Sequence, residues 1–437
     1  MTIEVIVVVI LGMMLVSFAL GAHVGFSLGG IALGVGYFSW GPQIFKLIPT
    51  TVLTSLSNFL LLAIPLFIFM GQMLYRSGLG EAMFQSAYVL AGRLAGGLAV
   101  GVMLVCALIG AMVGIVGAGI MTAGTVALPP MLQRAYNKRL ALGTIMAGGA
   151  LGILIPPSIP MILYAAITKV SLGKLFAAAL VPAAMLVLLH VTYIVVRCMI
   201  RPGDGPSIPQ NEQVTGLKKV KVVGKGLSSI SLIVIVLGSI LFGVATPTEA
   251  GAIGAIGAGF MALFYRQFGF SEFWEGSLET ARLTGIVVWM LIGATLLTNF
   301  NLLMGISGLV TSHFESLGLG PLGTVILMNV IMFLMGFILD EYIIVLIAGP
   351  IFVPIVIGMG LDPVWFGILM ILNLTIAVQT PPYGFALFYM KAVMPRDIPI
   401  GELYRAVPPF IAITVLVMGL CIAVPELVTW LPSKFFD

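Results

Sequence analysis

The chain has 437 residues, of which 60% are hydrophobic and 8% charged, with a mean hydropathy of +1.18. So apolar a composition excludes a soluble domain and identifies an all-α, polytopic membrane protein embedded in a lipid bilayer. The formal net charge of +4 is carried mainly by loops, so nothing points to nucleic acid as a partner.

In chain order, residues 3–20 predict a first span. A Gly-rich second span follows to about Trp40, where Gly25, Gly29, Gly30 and Gly34 offer small surfaces for close packing. The less apolar stretch 41–57, with Lys46, reads as an interfacial arm. Asn58 to Leu74 is the next span, and 77–92 a shorter connecting segment. Leu94 to Gln133 carries no charge and is too long for one span of about twenty residues. Its middle, Gly110 to Gly119, predicts the turn of a re-entrant helical hairpin, because glycine permits the turn and leaves amides accessible. Two full spans with a tight loop fit the periodicity equally well.

The charge-free stretch between Arg139 and Lys169 contains Pro156, Pro157, Ser158 and Pro160. Prolines remove backbone donors and break the helical ladder. In hydrocarbon the freed carbonyls are tolerable only where protein or a wet cavity covers them, and such broken helices form transporter binding sites. One break alone reads equally well as a simple kink. Residues 175–196 complete the half, and 197–225 form a hydrophilic, Pro/Gly-containing linker whose excess of Lys and Arg places it in the cytoplasm.

A second half follows at an offset of 225 residues, the separation of Pro156-Pro157 from Pro381-Pro382. A span is expected at 227–244. Thr246 and Glu249 predict a capped helix start, 272–282 a second arm, and 283–303 a separate span. Leu322 to Met359 has the plan of a second hairpin with Gly336 to Glu341 at its polar centre, and Gln379 to Gly384 is the second break. Asp340 must sit at a wet tip or bear a large desolvation cost, so it is expected to bind an ion or to hold the tip; Glu341 faces elsewhere and is the weaker candidate. Residues 407–430 form the last span. The expected divisions are a first-repeat scaffold and arm (1–92), a transport region with hairpin and broken helix (93–174), a scaffold helix and linker (175–225), a second scaffold and arm (226–320), a second transport region (321–405), and a final helix and tail (406–437). The N-terminus is expected outside, with an odd number of crossings before the linker.

Cys106, Cys198 and Cys421 lack metal or redox spacing, His23, His190 and His313 form no ligand pair, and neither a catalytic triad nor a Walker A motif is present. No enzyme, cofactor or direct ATP drive is expected. Unwound carbonyls and half-helix starts suit cations and an anionic substrate. The expected substrate contacts are Gly117, Thr122, Pro157, Ser158, Thr380, Pro382 and Tyr383. The expected sodium contacts are Gly114, Gly149, Pro156, Ser158, Gly336, Asp340, Asn373, Thr380 and Gly384.

Across nearly its whole length the chain resembles the large membrane subunit (M, DctM-type) of the tripartite ATP-independent periplasmic (TRAP) transporters. The resemblance rests on Ile64 to Gly71, Ile155 to Pro160, Thr246 to Ala250, Gly336 to Asp340 and Thr380 to Gly384, in that order and spacing. It departs at the first hairpin tip, where family members often carry serines and Gly114 to Gly119 has none. The resemblance implies a bacterial inner-membrane secondary transporter with inverted repeats, a fixed scaffold and an elevator-type transport domain. It implies sodium-driven import of a small organic anion, a C4-dicarboxylate or sugar acid among the options. A periplasmic solute-binding P subunit would deliver the substrate, and a small four-helix membrane Q subunit would join the scaffold. The alternatives are a related carboxylate carrier that takes substrate directly, or a channel.

Overall fold

The computed structural model describes residues 2–92, 94–114, 116–207, 216–264, 269–382 and 384–436. Their regular structure is helical throughout, and six helices are long and apolar enough to cross a membrane.

The first half opens with α1 (Ile3–Ala19) and α2 (Val24–Trp40), then an arm helix α3 (Leu47–Leu56). Asn58 ends the arm: its backbone is extended and its Oδ1 accepts a bond from Leu60 N at 3.1 Å, opening the turn into α4 (Ala63–Arg76). After the short α5 (Leu79–Ala91) comes a hairpin of α6 (Gly97–Val113) and α7 (Val116–Val126). Gly114 turns it at φ +70°, a left-handed conformation that a side chain would strain. The short α8 (Leu128–Gln133) leads to α9 (Lys138–Leu151) and α10 (Ile159–Thr168), the two parts of the broken helix, and α11 (Leu172–Ile200) closes the half.

The second half repeats this order. Here α12 (Gly216–Leu241) and α13 (Pro247–Phe264) correspond to α1 and α2. The helix start read at Thr246 is present: Glu249 Oε2 accepts from Thr246 N at 2.8 Å, and Thr246 Oγ1 accepts from Glu249 N at 3.3 Å. Next come α14 (Phe270–Leu303), α15 (Ile306–Ser316), the hairpin α16 (Gly320–Met335) and α17 (Glu341–Gly358), and the broken helix α18 (Pro363–Ala377) and α19 (Phe385–Val393). The helices α20 (Ile400–Ala406), α21 (Pro408–Ala423) and α22 (Glu426–Phe436) end the chain.

Two expectations change. The second arm and the following span are one continuous helix, α14; the position corresponding to the capping Asn58 is Leu283, whose apolar side chain offers no cap for a new turn. The linker is also shorter than 197–225. Its first residues are docked: Asp204 accepts from Arg197 Nε at 2.8 Å and Asn137 Nδ2 at 2.9 Å, and Gly205 O accepts from Gly96 N at 2.8 Å. The described chain is helical again from Gly216.

The two halves are inverted. Arg139, at the start of the first broken helix, pairs with Glu402 beyond the end of the second at 2.7 Å. Tyr164, near the end of the first, donates to Pro363 O at the start of the second at 2.6 Å. The two broken helices therefore run in opposite senses. The hairpins are exchanged between halves in the same pattern: a Cβ on Gly124 of α7 would run into Val393 of α19, and one on Gly349 of α17 into Ile167 of α10. Both pairs obey the 225-residue offset to within a residue. Around this body, α2 packs on α14 and α4 on α13. Each arm is tied to the other half, α3 by Asn299 Nδ2 donating to Thr51 Oγ1 at 2.9 Å and α14 by the Arg76–Glu275 pair at 2.6 Å. The result is an elevator-type architecture in which hairpins and broken helices form one packed body within a frame.

The frame relies on backbone contact at small residues. A Cβ on Gly25 would lie 2.6 Å from Trp289 O, and one on Gly293 would overlap the Gly25 carbonyl. Gly293→Val is expected to cost about 1–3 kcal/mol by overpacking and to lower the unfolding temperature in detergent. Gly259→Ala, with nothing near the added carbon, should leave it unchanged.

Candidate functional site

The two hairpin tips meet each other, and each covers one break. Gly114 O, at the first tip, accepts from the Tyr342 hydroxyl of the second at 3.2 Å. A Cβ on Gly114 would sit 2.8 Å from the side chain of Ile159, which starts α10, and one on Gly336 would sit 2.5 Å from Ala377, at the end of α18. Gly117 lies against the ring of Tyr389 in α19, with 2.8 Å left for an added carbon. Gly149 lies deeper, in α9, packed on Ile120 of α7 with its carbonyl accepting from Gly152 N at 3.1 Å. Both Pro156–Pro157 and Pro381–Pro382 are cis.

The breaks differ in exposure. Pro156, Pro157 and Ser158 are buried, whereas Thr380 and Pro381 are half-buried and Pro382 is exposed. Gly384 is buried in the turn that re-forms the helix, its N–H donating to Thr380 O at 3.0 Å while Ala386 N donates to Val378 O at 2.9 Å. Tyr383 lies outside the described residues.

The hydrogen bonds decide what these groups can hold. A hydroxyl has one hydrogen. Ser158 donates its hydrogen across the break to Ile153 O, Thr380 to Ile376 O at 2.7 Å, and Thr122 to Ala118 O at 2.7 Å. All three therefore offer only lone pairs, which suits a cation better than an anionic substrate. Asn373 points the same way. Its Nδ2 donates to Asn329 O at 2.7 Å and to Asn329 Oδ1 at 3.3 Å, and its Oδ1 is buried without a partner among the described residues. Gln379, fully buried, donates Nε2 to Thr375 O at 2.9 Å and likewise leaves Oε1 unpartnered. Two orphaned amide oxygens, fixed by their own donors, are acceptors that a hard cation would complete.

Asp340 is the N-cap of α17, its Oδ1 accepting from Tyr342 N at 2.8 Å, so it holds the hairpin tip. Glu341 is more enclosed than the sequence suggests, at 6% exposure, with no hydrogen bond from its side chain among the described residues. Sequence reasoning also passed over Asn329, Tyr342 and Tyr389. Of these, Tyr389 was open to discovery, since it stands one 225-residue offset from Tyr164.

Comparison with known proteins agrees with this geometry. Residues 11–427 match the family described as the tripartite ATP-independent periplasmic transporter, DctM component. The C4-dicarboxylate TRAP transporter large permease protein DctM of Pseudomonas aeruginosa is 32% identical over 407 residues, covering 92% of this chain and 93% of that one. The sialic acid TRAP transporter large permease protein SiaM of Vibrio cholerae is 30% identical, covering 95% and 96%. Among solved structures, the Alcanivorax borkumensis YdaH transporter shares the fold at a TM-score of 0.59, with 16% identity and 90% of each chain covered. With its residues matched nearly end to end and its helices paired as inverted repeats, the chain belongs to the DctM family, as a multi-pass large permease subunit of a TRAP transporter in the bacterial inner membrane and not an enzyme.

Proposed function

We propose that this subunit imports a small organic anion, with sodium as the coupling ion bound at the hairpin tips and breaks. The observation that supports it is a set of oxygens with lone pairs left to offer: Ser158 at the first break, Thr380 and Gln379 at the second, and Asn373 in the helix that leads into it. Bound sodium would supply positive charge there, beside the amides at the starts of α10 and α19, which favour an anion. The cation contacts then include the carbonyls around Gly114, Pro156, Gly336 and Gly384. The anion contacts fall to Gly117, Pro157, Pro382 and the half-helix amides, with Thr122 moved to the cation's side.

The relatives carry printed substrates as different as C4-dicarboxylate, sialic acid and ectoine, so the family sets the transport mode and not the cargo. A carboxylate is proposed. Delivery by a periplasmic solute-binding subunit, with a small four-helix membrane subunit on the scaffold, is proposed; the tripartite description of the family supports two further components. We place the moving body at 93–174 and 321–405 and the frame in the remaining segments. The basic linker puts the Arg197 end of α11 in the cytoplasm, and with it the N-terminus outside.

Reconstituted vesicles holding both membrane subunits, an inward sodium gradient and candidate binding proteins test the reading. Uptake should require sodium and one loaded binding protein; equal uptake without any binding protein would favour a direct carrier. Within that assay, Asn373→Leu and Gln379→Leu should each raise the half-saturating sodium concentration by about tenfold, the loss of one modest ligand. Unchanged sodium dependence in both would remove these oxygens from the ion site. Asp340→Asn should preserve the cap and membrane insertion, whereas Asp340→Ala should cost about 1 kcal/mol of hairpin stability. Matching sodium dependence in Asp340→Asn and the parent would leave Asp340 a structural role alone.

A further inference from the structure

A second polar space lies away from the breaks. It is a cavity of about 480 Å³ between the arm α3, the end of α10, α14 and α17. Its frame wall is α3 and α14, and its other wall belongs to the hairpin and broken-helix body, so the cavity spans the seam along which the two would slide. It lies at the Lys169 end of α10, next to the start of α11. The 29 residues of α11 carry the chain roughly 43 Å to the basic linker, so on the proposed topology this is the periplasmic face.

The hydrogen bonding of the lining is selective. Thr50, Thr54, Thr295 and Thr298 donate to carbonyls three or four residues earlier in their own helices. Thr51 receives the Asn299 bond and has no acceptor of its own among the described residues. Ser55, at 7% exposure, has a buried hydroxyl with no partner among the described residues. Asn299 keeps a second amide hydrogen, and Asn58 keeps both, since it caps with its oxygen. Lys169 lines the same cavity and makes no ion pair among the described residues. Among the described residues no carboxylate lines it. The nearest on α17, Asp340 and Glu341, begin the helix at the tip, roughly 8–14 Å along the axis from Leu346 and Pro350 of the cavity wall. Unspent donors, one cation and no anion form the complement of a negatively charged group, the reverse of the acceptor-only oxygens at the breaks.

We propose that this cavity is a receiving subsite for the anionic group of the substrate, a carboxylate or sulfonate, held by Lys169 with Thr51, Ser55 and Asn299 before it reaches the breaks. The role in import rests on the function proposed above; the anion preference does not. Because α17 runs from the cavity wall to the hairpin tip, the subsite sits on the same element that carries the second tip. Because the two walls belong to different bodies, the subsite would come apart as they slide.

The test uses the full chain with Thr298→Cys on the cavity wall; the three native cysteines are buried and stay in place. Labelling from the periplasmic side at low salt compares an anionic thiol reagent, sulfonatoethyl methanethiosulfonate, with its cationic trimethylammonium counterpart. The anionic reagent should be favoured, and Lys169→Gln should lower its rate relative to the cationic one by at least about threefold, while Lys169→Arg preserves it. At an exposed control, Leu317→Cys, the ratio should not respond to Lys169. A ratio at Thr298→Cys that ignores Lys169→Gln, a preference for the cationic reagent, or no labelling would each overturn the subsite. No transport is read, so failure of the import reading would show separately in the vesicle assay.

Discussion

A membrane helix that stops halfway leaves backbone groups without partners in a medium that offers none. This chain does so twice, at Pro156-Pro157 and Pro381-Pro382, and the rest of the structure answers that constraint. Each break is covered by the tip of a hairpin, and the tips are joined by the Tyr342 bond to Gly114. The breaks also satisfy themselves locally, through Ser158 to Ile153 O and Gly384 N to Thr380 O. The side-chain groups left over beside the breaks are oxygens, those of Asn373 and Gln379, so the side chains there offer acceptors before any ligand arrives.

Close packing makes the cover possible. A Cβ on Gly152 would collide with Gly110, as would one on Gly119 with the Cys106 carbonyl and one on Gly149 with Ile120. The first and last of these contacts bind the first hairpin to its broken helix, the Gly119 contact closes the hairpin on itself, and Gly124 and Gly349 bind each hairpin to the opposite half. A body so tightly joined is expected to move as a unit, with its freedom at the seam against α3 and α14, where the structure is open and polar.

Much of this plan was legible in the sequence because it depends on spacing. Forty charge-free residues around a run of glycines marked the first hairpin, and paired prolines 225 residues apart marked the repeat. What stayed hidden depends on where a hydrogen atom goes. Ser158 and Thr380 were expected to contact both substrate and sodium and Thr122 the substrate, but each spends its hydrogen on a nearby carbonyl and keeps only lone pairs. Asn373 was marked as an amide oxygen, yet the Asn329 partner that fixes its orientation comes from α16, 44 residues earlier. Glu341 was discounted from its helical direction, and only the neighbouring elements show that it is enclosed. The fusion of the second arm into α14 falls where the 225-residue offset puts Leu283 opposite the capping Asn58, a difference that no periodicity marks.

The central claim is that hairpins and broken helices form one body that slides against the frame under sodium control. Spin-label distances in the reconstituted complex test it most directly, with one pair across the seam, Thr54→Cys and Ala166→Cys, and one pair within the body, Ala166→Cys and Leu361→Cys. The account predicts a seam distance with two populations whose ratio shifts with sodium, and an internal distance that does not change. A fixed seam distance together with a sodium-dependent internal one would contradict it, because the breaks themselves would then be opening inside a stationary body.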